Sequence, residues 1–395
     1  MNENGSLEVT KLTLADYDDC LDFLNLVFSQ QNGHPIDFER ELPKAFRRDE
    51  QLVNRHWACR RHGRIRAIVG VYPMTLRVGD RQISCATVGN VATHADERGN
   101  GLMKLLMREA MQELNERQID LSRLGGERLR YNRYGYEQAG RRYRQVMTRK
   151  NALSFGDPAR EDSLVFRPLT LDDRPLLEAA FQLHRNQPVA VDRPDPVEFD
   201  CALRAHVMQP WAVLDPQGRL VGYLTASADH RTINEQQVAN GLLLPNLLFA
   251  WIRHWQLDSV TYWLLPWDNQ ALQDVGPYRE TAQIESPSMF LIRNWPRLIA
   301  AFLRLKLQTV DLPVGELLIR IGGGDTLTIR VEDGQAACSV TPGRPADLEL
   351  DQLTATRLIF GTLPAETILA LPRRISCIVQ AWFPLPLSWP LQDNV

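Results

Sequence analysis

The apolar residues Leu21, Phe23, Leu24, Val27 and Phe28 fall on one face of a helix. Thr13 or Asp16 is placed to cap its first turn. From His56 to His94 the pattern changes to consecutive strands, divided by turns at Arg61-His62-Gly63 and Val78-Gly79-Asp80. The helical period returns from Gly101 to about Leu114, in Leu102, Leu105, Leu106, Met107, Ala110, Met111 and Leu114.

Two of these patterns recur in the same order roughly 155 residues later. The stretch from Phe166 to His184 repeats a short strand, Leu-Thr-Leu, an acidic cap and a helix. Trp211–Ser227 echoes Trp57–Pro73, each reading Trp-Ala, a few residues, Gly-Arg and a branched strand. Where the first copy has a charged glycine turn, the second has "VANGLLLPNLLFAWIRHW", an apolar segment and a Pro-started helix. The second copy is expected to keep the fold and to lack the site on that turn. A third region opens near Pro296 with a helix. An antiparallel sheet follows, in which Leu327, Ile329 and Val331 alternate and Gly322-Gly323-Gly324 and Asp333-Gly334 turn the chain. A further short helix lies in "LDQLTATRLIFG". The tail carries Phe383, Leu385, Leu387, Trp389 and Leu391, too apolar to hang free, and is expected to pack against the rest.

The expected architecture is α/β (α+β), divided into 1–150, 160–295 and 296–395, and 395 residues suffice for two or three such units. Hydrophobic residues at 44% and charged residues at 24% are ordinary globular values. A net charge of −3 gives no sign of a nucleic-acid or membrane-surface protein. The polar, acidic start is not a secretory signal, and no stretch is apolar enough to span a membrane. The six cysteines form no C-x-x-C pair. Reduced thiols in the cytoplasm are expected, without a bound metal.

The turn at Arg98-Gly99-Asn100-Gly101 lies between a strand ending at Thr93 and the helix starting near Gly101. The first amides of a helix lack internal partners and its dipole makes that end positive. Glycines let a ligand approach the backbone, so the turn is an anion site suited to a pyrophosphate. There is no G-x-G-x-x-G and no Walker spacing. Arg98-x-x-Gly101-x-Met103 resembles the acetyl-CoA loop of the GNAT acetyltransferases, which reads Arg or Gln, x, x, Gly, x, Gly or Ala; Met103 departs from the last position. Tyr131, Tyr134, Gly135 and Tyr136 are similar to the tyrosine-rich element that follows this loop in the superfamily. On the residues alone, Tyr134 and Tyr136 read as core filler and Tyr131 as functional.

The whole chain resembles the enhanced intracellular survival (Eis) acetyltransferases. Their layout is a complete GNAT domain, a degenerate one and a sterol-carrier-protein-like domain. Eis proteins carry Ile-Tyr-Gly-Arg-Phe-Gly-Tyr after Ser-Glu. Here Leu129-Arg130-Tyr131-Asn132-Arg133-Tyr134-Gly135-Tyr136 follows Gly126-Glu127, and the Ser has become Gly126.

The resemblance implies an acetyl-CoA-dependent N-acetyltransferase acting on an amine of a small molecule or of lysine. Acetyl-CoA would lie along Val91, Ala92 and Thr93, with its pyrophosphate held by Arg98, Gly99, Asn100, Gly101, Leu102, Met103 and Lys104. Gly126 and Glu127 would border it. Tyr131 would give a proton to the departing thiolate. The α-carboxylate of Val395 would serve as base or hold the ammonium of the acceptor. The family also implies a homo-oligomer, possible hexamers included. Two other readings stay open: a tRNA-dependent aminoacyl transferase, and a lipid- or small-molecule-binding protein. Asp37, Glu39 and Glu41 are either part of an amine site or a solvated face.

Overall fold

The structure, a computed structural model, describes residues 7–156, 163–239 and 241–395. The first residues of the polar start, residue 160 where the second unit was expected to begin, and Asn240 in the second copy's turn lie outside the described residues.

Three sheets organise the chain. The first runs Leu7–Lys11, His56–Arg61, Arg64–Val78, Arg81–Thr93, Leu121–Leu124, Ser288–Ile292 and Glu137–Ala139. Val189–Val191 adds to its Arg64–Val78 strand. The second runs Val165–Pro168, Gln209–Leu214, Leu220–Ala226, Thr232–Val238, Ser259–Leu264, Arg142–Thr148 and Thr281–Glu285. The two orders match strand for strand. Each is antiparallel except for one parallel pair, Arg81–Thr93 with Leu121–Leu124 and Thr232–Val238 with Ser259–Leu264. The structure is therefore an internal repeat, in agreement with the two sequence echoes.

The copies also exchange a strand. Arg142–Thr148 follows the last strand of the first sheet in the chain, yet it pairs with Ser259–Leu264 and Thr281–Glu285 in the second. Ser288–Ile292 makes the reciprocal move, entering between Leu121–Leu124 and Glu137–Ala139. A cut at residue 150 or 295 thus passes through chain whose strands serve both sheets.

The side-chain alternation of the long strands decides which helix covers which face. Ala67, Val69 and Val71 face the helix Leu102–Glu116 and pack with Leu102, Leu106, Met107, Ala110 and Leu114. Ile68, Tyr72 and Ala92 face the other way and pack with Leu21, Phe23, Leu24 and Val27 of the helix Tyr17–Asn32. Asp16 is the N-cap residue of that helix, and Phe28 stacks edge-on against Phe38.

The third unit is a four-stranded sheet ordered Gln335–Val340, Thr326–Glu332, Gly315–Ile321, Leu348–Leu350. Helices Trp295–Leu307, Gln352–Phe360 and Arg373–Trp382 accompany it. Leu327, Ile329 and Val331 are buried, as their alternation requires. Its core is continuous with the first sheet: Cys85, Leu121, Phe290 and Ile292 pack in one cluster with Phe302, Phe360 and Trp389. The tail runs through this junction, with Phe383, Leu385, Leu387 and Trp389 at most 2% exposed. All six cysteines are free thiols. No helix among the described residues is long and apolar enough to cross a membrane.

Candidate active site

The site starts where one strand outruns its neighbour. Arg81–Thr93 pairs in parallel with Leu121–Leu124, but only from Cys85 to Val88. On its other edge the ladder to Arg64–Val78 continues to Thr93. Among the described residues nothing pairs with Gly89–Thr93 on the side that Leu121–Leu124 has left. The backbone there is an open edge.

The same stretch carries a bulge. Gly70 opposes Gly89 and Ile68 opposes Ala92, so three steps on one strand face two on the other. Asn90 takes up the extra residue with φ +50°, a left-handed conformation that asparagine tolerates better than most residues. Its side-chain amide donates to the hydroxyl of Tyr72. Tyr72 in turn lies 2.8 Å from Nε2 of His56, and Nδ1 of His56 lies 3.1 Å from the carbonyl of Val53. A carbonyl only accepts, so His56 carries its proton on Nδ1 and receives one from Tyr72 on Nε2. Burial lowers the His56 pKa to about 4, which keeps the ring neutral. This buried chain fixes the bulge.

Beyond Thr93 the turn reaches Gly99 and Gly101, at φ +86° and +78°. Gly101 is the N-cap of Leu102–Glu116 and offers no side chain to the helix amides. The first bond into that end is from the amide of Leu105 to the carbonyl of Gly101. Among the described residues no acceptor meets the amides of Gly99, Leu102, Met103 or Lys104. With the positive end of the helix dipole, they form an anion cradle.

A cleft of about 880 Å³ joins these features. Val91, Ala92, Thr93, Arg98, Gly99, Gly101, Leu102, Met103, Lys104 and Glu127 all line it. Arg98, Lys104, Arg130 and Arg133 give its rim positive charge. Two residues expected in this set do not line it. Asn100 turns its side-chain amide onto Glu97 at 3.0 Å. Gly126 is exposed and sits over Tyr131, at φ +124°, where a Cβ would come within 3.1 Å of the Tyr131 ring.

The three tyrosines separate. Tyr136 is fully buried and its hydroxyl bonds Ser122 at 2.7 Å, a core role. Tyr131 is 4% exposed and packs behind Gly126 instead of lining the cleft, and burial raises its pKa. Tyr134 lines the cleft, and its buried hydroxyl has no hydrogen-bond partner. The sequence reading placed Tyr134 in the core because a tyrosine beside a turn usually fills space.

A second cleft, about 440 Å³, opens beyond the bulge, and Tyr72 forms part of its wall. Val395 lines it too. A Cβ on Gly89 would lie 3.0 Å from the chain-end oxygen of Val395, so a side chain there would press on the chain end. Asp37, Glu39 and Glu41 line neither cleft. Asp37 caps the short helix Phe38–Glu41, and Glu39 accepts from the Tyr17 hydroxyl at 2.5 Å. Asn90, Tyr72, His56 and Gly89 were not singled out in the sequence. The one available signal was Gly89-Asn90 inside a strand pattern, which marks bulges.

The chain end is fixed by buried ion pairs. Arg193 donates to both Glu235 oxygens at 2.9 and 2.7 Å and to both Asp393 oxygens at 3.2 and 3.0 Å. Burial alone would raise the Glu235 pKa, yet the Arg193 guanidinium holds it well below the usual carboxylate range. The Gln392 amide donates to the carbonyls of Ala202, Leu203 and Ala205 at 3.0, 2.8 and 3.2 Å, and Lys44 donates to the Gln392 carbonyl. No cation among the described residues is within ion-pair reach of the terminal carboxylate itself.

Residues 8–139 match the family model of the acetyltransferase (GNAT) domain. No curated protein sequence matches the chain. Among solved structures, it is similar to a GCN5-related N-acetyltransferase from Kribbella flavida at 18% identity, covering 97% of this chain and 98% of that one, with a TM-score of 0.69. A GCN5-related N-acetyltransferase from Anabaena variabilis aligns at 17% identity over 98% of each chain, TM-score 0.67. Eis1 from Mycobacterium abscessus aligns at 12% identity over 99% of this chain and 100% of that one, TM-score 0.65. At these identities the likeness establishes a shared fold along the whole chain.

Proposed function

We propose that the protein is an N-acetyltransferase that moves an acetyl group from acetyl-CoA to a primary amine, with the three-unit plan of the Eis enzymes. One observation carries the reading. The open strand edge, through Val91–Thr93, leads into the free amides at the start of Leu102–Glu116, within a single cleft whose rim is cationic. That is a backbone track followed by an anion cradle, the two features a pantetheine arm and a pyrophosphate require.

Acetyl-CoA, when bound, supplies a thioester whose sulfur is the leaving group. The chain's own groups do the rest. Bulging at Asn90 turns backbone N–H groups out of the ladder, where they can stabilise charge on an acyl oxygen. Tyr131 is the proposed proton donor to the thiolate, and Tyr134 competes for that role from the cleft wall. The carboxylate of Val395 receives the acceptor amine in the second cleft, as its base or its counter-ion. Its tether to the second copy holds it at the bulge.

The sterol-carrier likeness of residues 296–395, a cytoplasmic location and assembly into a homo-oligomer belong to the same reading. Sedimentation velocity tests the last of these.

Titration calorimetry tests the central claim. Wild-type protein is expected to bind acetyl-CoA. Gly101→Val forces a branched side chain into a left-handed backbone at the cradle, and affinity should fall at least about tenfold. Equal affinity of the two proteins would place the nucleotide elsewhere.

A further inference from the structure

The second cleft contains several basic side chains, and all but one are engaged. Arg47 pairs with Glu198 and also reaches the Cys201 sulfur at 3.2 Å. Arg193 is held between Glu235 and Asp393. Lys44 donates to the Gln392 carbonyl. The exception is Arg55, on the turn between the short helix Glu50–Val53 and the strand His56–Arg61. It lines the cleft and is half-buried, and among the described residues no acceptor meets its guanidinium.

The nearby carboxylates offset its burial only in part, and neither bonds it directly. Asp49 spends one oxygen on the amide of Leu52, as the cap of Glu50–Val53, and Glu198 is taken by Arg47. Desolvation lowers the Arg55 pKa; Tyr72, Glu198 and Asp49 draw it back up in part, Arg47 opposes them, and the net shift is downward. A guanidinium partly removed from water with no anion bonded to it is an incomplete site. Its planar fork matches a carboxylate or phosphate with two parallel bonds.

We propose that the acceptor of this enzyme carries an oxyanion as well as its amine, and that Arg55 binds the oxyanion while the amine faces the chain end. This rests on the transferase reading and narrows its substrate class. Two unpaired groups of the cleft are then used in opposite senses: the terminal carboxylate of Val395 for the ammonium, Arg55 for the anion. Plain polyamines would satisfy the first and leave the second bare.

The test uses the full chain and acceptors of matched length: a linear diamine, an ω-amino acid and an aminoalkyl phosphate. Thiol release from acetyl-CoA gives kcat/KM, and calorimetry gives acceptor affinity. The anion-bearing amines should exceed the diamine by about tenfold or more, the scale of one charge-assisted bidentate contact. Whichever of the two gives the larger ratio identifies the oxyanion. Arg55→Met should collapse that ratio towards one in turnover and in binding, and Arg55→Lys should restore part of it. Circular dichroism and a thermal melt confirm that both variants are folded. A wild-type preference for the diamine, or a ratio unchanged in Arg55→Met, overturns the proposal. Arg55-dependent binding of the anionic amines with no acetyl transfer to any amine supports the anion site and removes the transferase reading instead.

Discussion

At the scale of single residues, the two tyrosines make opposed demands. Tyr131→Phe should lower kcat by about a hundredfold, the range of one positioned acid, with acetyl-CoA affinity retained. Tyr134→Phe should lower it less. The reverse ranking would transfer the proton to Tyr134. Stability separates them independently. The Tyr134 hydroxyl is buried without a partner, so deleting it removes an unsatisfied group, and Tm should hold or rise. Lys44 is a second residue with a measurable signature. Desolvation lowers its pKa from 10.5 to about 7. Between those two values the unfolded chain binds a proton that the folded chain does not, so stability rises with pH across that window. Wild type should therefore gain on Lys44→Met as pH climbs from about 7 to about 10.5, read as the difference in melting temperature. A flat difference would mean that Lys44 stays charged in the fold.

At the scale of elements, what could be read in the sequence was local. The helix Leu102–Glu116, the glycine turn and the hairpins before it obey spacing rules within a few residues of one another, and their positions matched. The open edge was not legible, because it depends on where Leu121–Leu124 stops pairing, more than thirty positions away. The Asn90 bulge needed the register against Arg64–Val78, and the free Tyr134 hydroxyl needed the packing around it. The tail shows both sides. Its apolar residues announced burial, but nothing local announced that Arg193 and Glu235 would grip Asp393. That grip makes a prediction. In the first copy the strand Arg81–Thr93 lines the larger cleft; in the second, the matching strand Thr232–Val238 holds the chain end through Glu235. Arg193→Met leaves two buried carboxylates without their cation, so it should destabilise by about 3–5 kcal/mol and loosen Val395. A short peptide added after Val395 acts without touching the core: melting should barely change while kcat falls steeply and acetyl-CoA still binds. A tagged enzyme of full kcat would release the terminal carboxylate from any role.

At the scale of the molecule, the exchanged strands determine what can fold alone. Residues 1–150 contain the 8–139 stretch that matches the acetyltransferase (GNAT) model, and their sequence reads as a self-sufficient unit. Yet the strand Ser288–Ile292 lies inside their sheet, between Leu121–Leu124 and Glu137–Ala139. Met289, Phe290, Leu291 and Ile292 are at most 4% exposed. At roughly 1.5–3 kcal/mol for each buried side chain, the strand contributes about 6–12 kcal/mol. That is comparable with the whole stability of an ordinary domain, about 5–15 kcal/mol. Removing it also uncovers the ladder edges of both neighbours, which favours association with other chains. The isolated first 150 residues should therefore be soluble only with help, lack a cooperative melt and bind acetyl-CoA weakly. Co-expression with residues 151–395 should rescue the fold, since the missing strand arrives in trans, although the second sheet then takes Arg142–Thr148 from the first fragment. The two fragments should copurify as one complex with a single melting transition. A cooperative melt and undiminished acetyl-CoA binding in the first fragment alone would show that the exchange is dispensable.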